Sequence, residues 1–141
     1  MSLLLNIVWI LFGGAWMAFG WLVAAVIMAV TIVGIPWARA AVNIALYTLM
    51  PFGYTAVPRD RYTGREDIGT GLLGGVGNIL WLVFAGWWLA LAHVLTAIAL
   101  AITIIGIPFA WAHLKLAGLA LWPIGKMIVP KDQASMPAHR V

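Results

Sequence analysis

Thr31-Ile32-Val33-Gly34-Ile35-Pro36 returns almost unchanged 72 residues later as Thr103-Ile104-Ile105-Gly106-Ile107-Pro108. At that offset Asn6–Gly53 aligns without a gap on Asn78–Gly125, with 20 identities in 48 positions. Among them are Asn6/Asn78, Trp9/Trp81, Gly14/Gly86, Trp16/Trp88, Pro51/Pro123 and Gly53/Gly125. The chain is an internal duplication, so it folds as two copies of one unit. Pro36 and Pro108 lack the amide that would continue a preceding helix, and their rings disfavour helical geometry at Ile35 and Ile107. Each repeat therefore reads as two hydrophobic helices joined at a Gly-Ile-Pro corner, Gly34 with Pro36 and Gly106 with Pro108. The second helix of each copy ends at Pro51-Phe52-Gly53 or Pro123-Ile124-Gly125, where glycine takes a left-handed cap.

Composition sets the solvent. The chain is 65% hydrophobic and 9% charged, with 9 Trp in 141 residues, and its mean hydropathy is +1.05. These values lie outside the soluble globular range. No charged residue occurs from Leu3 to Trp37, and none from Ile68 up to Lys115 with His93 neutral. A membrane span needs about 20 apolar residues. The expected fold is an all-α integral membrane protein: repeat 1 over residues 1–53, a polar linker over 54–70, repeat 2 over 71–125, and a polar cytoplasmic tail over 126–141. The chain turns apolar straight after Met1-Ser2, without the basic n-region of a signal peptide, so the first segment is expected to stay in the mature protein. No cysteine is present, which excludes disulfides and thiol chemistry.

Leu3–Val33 is 31 residues, about 46 Å as one helix against a hydrocarbon core of about 30 Å. It must tilt, bend or break, and Gly13-Gly14, matched by Ala85-Gly86, is the expected place. Trp37–Phe52 carries Arg39, Asn43 and Tyr47 four apart, on one helix face. Trp9 and Trp16, like Trp81 and Trp88, are seven apart and read as one packing face. Gly69-Thr70-Gly71-Leu72-Leu73-Gly74 matches a dinucleotide-loop pattern, but no strand precedes it. It reads instead as a glycine-rich helix start, with Gly71 and Gly75 open to close helix contact.

Taken together, Asn6-Ile7-Val8-Trp9, Gly13-Gly14, Gly20-Trp21, the two Thr-Ile-x-Gly-Ile-Pro corners, Asn78-Ile79-Leu80-Trp81, Gly86-Trp87-Trp88, Lys115-Leu116-Ala117 and Ala120-Leu121-Trp122-Pro123-Ile124-Gly125 resemble the YccF family of small bacterial inner-membrane proteins. The resemblance covers Leu3–Val129. It implies a multi-pass protein of the bacterial cytoplasmic membrane, and it implies no activity.

The linker and the tail both carry excess Lys and Arg, which places both in the cytoplasm by the positive-inside rule. An even number of crossings per repeat follows. Two spanning helices per repeat satisfy this. So does an alternative in which each long segment folds as a hairpin and the short helices lie in the interface. A single crossing per repeat would make an inverted repeat and put the tail outside.

Chemistry is sparse. Asp60, Glu66, Asp67 and Asp132 all lie in the linker or tail, which disfavours ion-coupled transport through an intramembrane carboxylate. No nucleophile–base pair or metal-ligand spacing occurs, so no enzyme activity, cofactor, metal, nucleotide or nucleic acid is expected. His93 reads as a neutral imidazole bonded to a neighbouring helix. Arg39 and Lys115, with Trp37, Trp111 and Trp122, are expected at lipid headgroups. Asn6, Asn78, Thr31 and Thr103 recur in both copies and either line a polar path or tie helices together. Two functions fit: a homo-oligomeric assembly forming a passive channel or pore-like cavity, and a non-conducting accessory protein that binds membrane lipid or a partner membrane protein.

Overall fold

The computed structural model describes residues 1–135 and is mostly helical. The order is α1 (Ser2–Trp9), a π-helical turn (Ile10–Gly14), α2 (Ala15–Val30), α3 (Ile35–Leu49), β1 (Tyr54–Pro58) and α4 (Arg59–Thr63). Then follow α5 (Gly71–Trp81), a second π turn (Leu82–Gly86), α6 (Trp87–Ala101), α7 (Ile107–Leu121) and β2 (Lys126–Pro130). Ser2–Val30 and Gly71–Ala101 are each long and apolar enough to cross a membrane.

Both long helices change pitch at the glycine sites. In the first, Phe12 and Gly13 leave helical geometry, with Gly13 at φ 110°. A π turn takes in one extra residue, and this rearranges the tryptophans. Seven α-helical residues turn about 700°, nearly a whole number of turns, but an inserted residue shifts the later side chain by about 100°. Trp9 and Trp81 are fully buried, whereas Trp16 is 74% exposed, so the two pairs do not share one packing face.

At each corner a threonine closes the turn. Thr31 Oγ1 donates to the Met28 carbonyl and accepts from the Gly34 N–H, and Thr103 does the same with Leu100 and Gly106. A side chain on Gly34 would meet the Met28 carbonyl, and one on Gly106 the Leu100 carbonyl. Pro36 and Pro108 fall in the first turn of α3 and α7, where a missing amide costs nothing.

The expectation of an all-α fold needs correction, because β1 and β2 form a two-stranded antiparallel sheet. Both segments had been assigned by composition to polar linker and tail. Tyr-Thr-Ala-Val-Pro and Lys-Met-Ile-Val-Pro are instead short β-branched runs bounded by glycine and proline, which favour extended chain. Ala56 faces Ile128, its own equivalent 72 residues on. A local two-fold axis therefore passes through the ribbon, perpendicular to its strands.

That axis sets the direction of the two halves. Trp37, at the corner end of the first half, donates from Nε1 to the Ile68 carbonyl at 3.2 Å and packs on Gly77, at the leading end of the second. Phe109, its equivalent, stacks on Phe12 and meets Phe52 edge-on. The corner of each half thus lies beside the start of the other, so the halves run in opposite directions. Linker and tail are neighbours as strands, yet they leave from opposite ends of the ribbon: Arg59 N–H bonds Gly125 at one end and Lys131 N–H bonds Gly53 at the other. Arg140 lies outside the described residues.

The linker turn is held by Asp67. Partial desolvation pulls its carboxyl upward, but the Arg59 guanidinium at 2.6 Å and the Gly69 N–H at 2.8 Å outweigh this and hold it below the usual carboxylate range. A lowered folded-state pKa means a contribution that is present above the ordinary value and lost as pH falls through the lowered one. The pair is 32% and 44% exposed, so the contribution is small. Protease cleavage within residues 59–70 should rise below about pH 4, and Asp67→Asn should show the same cleavage at pH 7. Equal cleavage of both proteins at all pH values would remove Asp67 from this role.

Candidate functional site

The polar side chains shared by the two halves converge on the ends of the short helices. Pro51 stops α3, so the last carbonyls of that helix lose their intrahelical donors. Asn6 and Trp9, three apart and on one face of α1, supply replacements. Trp9 Nε1 donates to the Thr48 carbonyl at 2.7 Å, Asn6 Nδ2 donates to the Phe52 carbonyl at 3.0 Å, and the Phe52 N–H donates to Asn6 Oδ1 at 3.0 Å. The second half repeats this. Trp81 Nε1 meets the Ala120 carbonyl at 2.7 Å, and Asn78 exchanges two bonds of 3.0 Å with Ile124. Asn78 adds a bond to the Gly74 carbonyl at 3.1 Å. Asn-x-x-Trp is thus a cap delivered in trans, from a long helix to the end of the short helix that returns to it. Trp81→Phe keeps a ring and removes the donor, and should lower stability by about 1–3 kcal/mol. Melting in detergent checks this against Trp88→Phe, whose indole bonds only within its own helix, to Phe84; equal losses would deny the cap.

At the centre the symmetry is broken. Trp21 and His93 occupy equivalent positions and touch, Nε1 to Nε2 at 3.2 Å. His93 Nδ1 lies 3.0 Å from His113 Nδ1, and both imidazoles are fully buried. Because Trp21 can only donate, a neutral His93 carries its proton on Nδ1 and donates it to His113. The His113 proton then sits on Nε2, which has no hydrogen-bond partner and faces the break at Gly13. Sequence spacing could not find this pair, since the histidines are 20 residues apart and at inequivalent repeat positions. No carboxylate or third ligand joins them, and among the described residues no group of three His, Cys, Asp or Glu could hold a metal.

The residues expected at lipid headgroups divide. Trp111 and Trp122 are exposed, and Lys115 Nζ stands 5.8 Å over the Trp111 ring. Arg39 is exposed on α3. Trp37 is a correction: it is only 7% exposed, because the missing side chain at Gly77 opens a slot for its indole beneath the linker. The glycine run behaves similarly. The Gly69 carbonyl packs where side chains on Gly74 or Gly125 would be, while Gly75 faces open space. Close approach therefore uses Gly74 and Gly77, not Gly71 and Gly75.

A family model described as an inner membrane component domain, YccF, matches residues 4–54 and again residues 76–126. The chain belongs to the YccF family. The two matched stretches carry one Asn-x-x-Trp cap and one corner each, so the YccF domain occurs twice. The chain is 38% identical over 135 residues to "Inner membrane protein YccF" of Escherichia coli (strain K12), covering 95% of this chain and 91% of that protein. The protein of the same name from Shigella flexneri matches to the same extent. No solved structure matches.

Proposed function

We propose that this YccF protein is a non-conducting, multi-pass component of the bacterial inner membrane that binds lipid or a partner membrane protein on its outer faces. One observation carries this reading. Asn6, Asn78, Thr31 and Thr103, the polar side chains a path would need, are each engaged in hydrogen bonds within the chain. The surfaces left over are apolar: Leu11, Trp16, Leu72 and Trp87 are all more than half exposed. In water such a surface would drive aggregation, whereas in hydrocarbon it is solvated. No carboxylate joins this region, so catalysis and ion coupling have no acid–base group to use.

The opposed halves also change the topology. Arg59, Arg61, Arg65 and Lys126 gather at the linker end of the ribbon, with Arg39 nearby, against Lys131 at the tail end. The positive-inside rule then places the linker end in the cytoplasm and the tail end outside. A ribbon at membrane depth requires protein or water along its edges, and α3 with its adjoining groove supplies such a border.

The test is flux in proteoliposomes. Wild-type protein should pass no more ions than empty vesicles. Flux that is lost in an assembled Asn6→Leu/Asn78→Leu variant would overturn the proposal and restore a path lined by those residues.

A further inference from the structure

An open groove of about 550 Å³ lies between α3 and the ribbon, with Ile44, Leu46, Met50 and Ile128 on its walls and Asn43, Arg59 and Lys126 at one side. The last three also line a cleft of about 340 Å³ that adds Arg39 and Asp67. Three cations therefore meet where the two spaces join. The one carboxylate there, Asp67, is already bonded to Arg59, so three positive charges against one negative leave a net charge of +2. Arg59 Nε is buried and has no partner.

The duplicated half shows that folding does not demand this charge. At the offset of 72 residues, Arg39 becomes Trp111, Asn43 becomes Lys115 and Tyr54 becomes Lys126. The corresponding groove, of about 330 Å³, is lined by Lys115, Gly118, Leu119 and Trp122, with Lys126 shared, and Lys115 sits against Trp111. The same scaffold is thus built with and without an Arg39–Arg59–Lys126 cluster.

We propose that the first groove holds an anionic phospholipid, its phosphate against Arg39, Arg59 and Lys126 and one acyl chain along Ile44, Leu46, Met50 and Ile128. This rests on the lipid-binding reading above and names the lipid class. A polar cluster continuous with an apolar trough matches a molecule whose charge and hydrocarbon are covalently joined. The cluster lies at the linker end, which the Lys/Arg balance assigns to the cytoplasmic leaflet, where anionic lipid draws in basic segments.

The test uses full-length protein in mild detergent, with melting followed as phosphatidylglycerol, phosphatidylcholine or glycerol phosphate is added. Phosphatidylglycerol should stabilise the wild type at concentrations where phosphatidylcholine does little. Arg39→Gln/Lys126→Gln should weaken that response about 30-fold, from about 1 kcal/mol per cation, while Arg65→Gln, on the same linker but outside the groove, should respond as wild type. Arg59 is kept because it also holds the linker. If that double variant fails to fold, the single Arg39→Gln, exposed on α3, should weaken the response about fivefold. Equal stabilisation by both lipids, an undiminished response in the variants, or a full response to glycerol phosphate alone would overturn the site. No stabilisation by any lipid would overturn the broader lipid-binding reading with it.

Discussion

Asn78→Leu is expected to destroy most of the folded protein. Asn78 is 1% exposed and satisfies both the N–H and the C=O of Ile124. Leucine fits the volume but leaves those two backbone groups unpaired in a place that water does not reach. Each buried unpaired group costs about 1–3 kcal/mol, so the loss is about 2–6 kcal/mol, comparable with the whole stability of a small domain. Asn6→Leu should do less harm, because Asn6 lacks the extra bond that Asn78 makes to Gly74 and its bonds are only part-buried. Size-exclusion recovery and melting of the two variants in one detergent check the order. A harmless Asn78→Leu, or the reverse ranking, would remove the capping account of these residues.

Gly77→Leu should be as damaging, for a different reason. A Cβ at this position would sit 2.6 Å from Trp37 Cε2, and the indole has nowhere to retreat within the buried slot. Trp37 would be expelled along with its bond to Ile68, at a cost in the range of a buried aromatic deletion, about 3–5 kcal/mol. Because this contact joins the corner of one half to the start of the other, proteolysis should release the halves more readily. Gly75→Leu is the control, since Gly75 faces open space and should tolerate the change. If both variants melt alike, the slot is not a point of contact between the halves.

What the sequence discloses and what it hides follow from the range of each interaction. The duplication is visible because identities recur at one fixed offset, and the pitch change at Gly13-Gly14 because a glycine pair is a local weakness. Strands are harder to see: Tyr54–Pro58 and Lys126–Pro130 are five residues each, next to charges, and pair across more than seventy residues. The opposed direction of the halves is not written in either copy. It arises from contacts such as Trp37 with Gly77, and counting Lys and Arg in linker and tail treats two ends of one ribbon as a single side. The His93–His113 pair is hidden because duplication put Trp21 and Ala41 at the equivalent places. Trp37 misled for a related reason, since an indole near a helix end suits an interface equally well as a slot made by a distant glycine.

The opposed halves are the centre of this account, and the cysteine-free chain gives a direct test. Single cysteines at Arg65 and Ser135, treated in intact cells with a membrane-impermeant maleimide, should report opposite sides: Ser135 labelled at once, Arg65 labelled only after the membrane is opened. Both positions labelled in intact cells, or both protected, would contradict the arrangement.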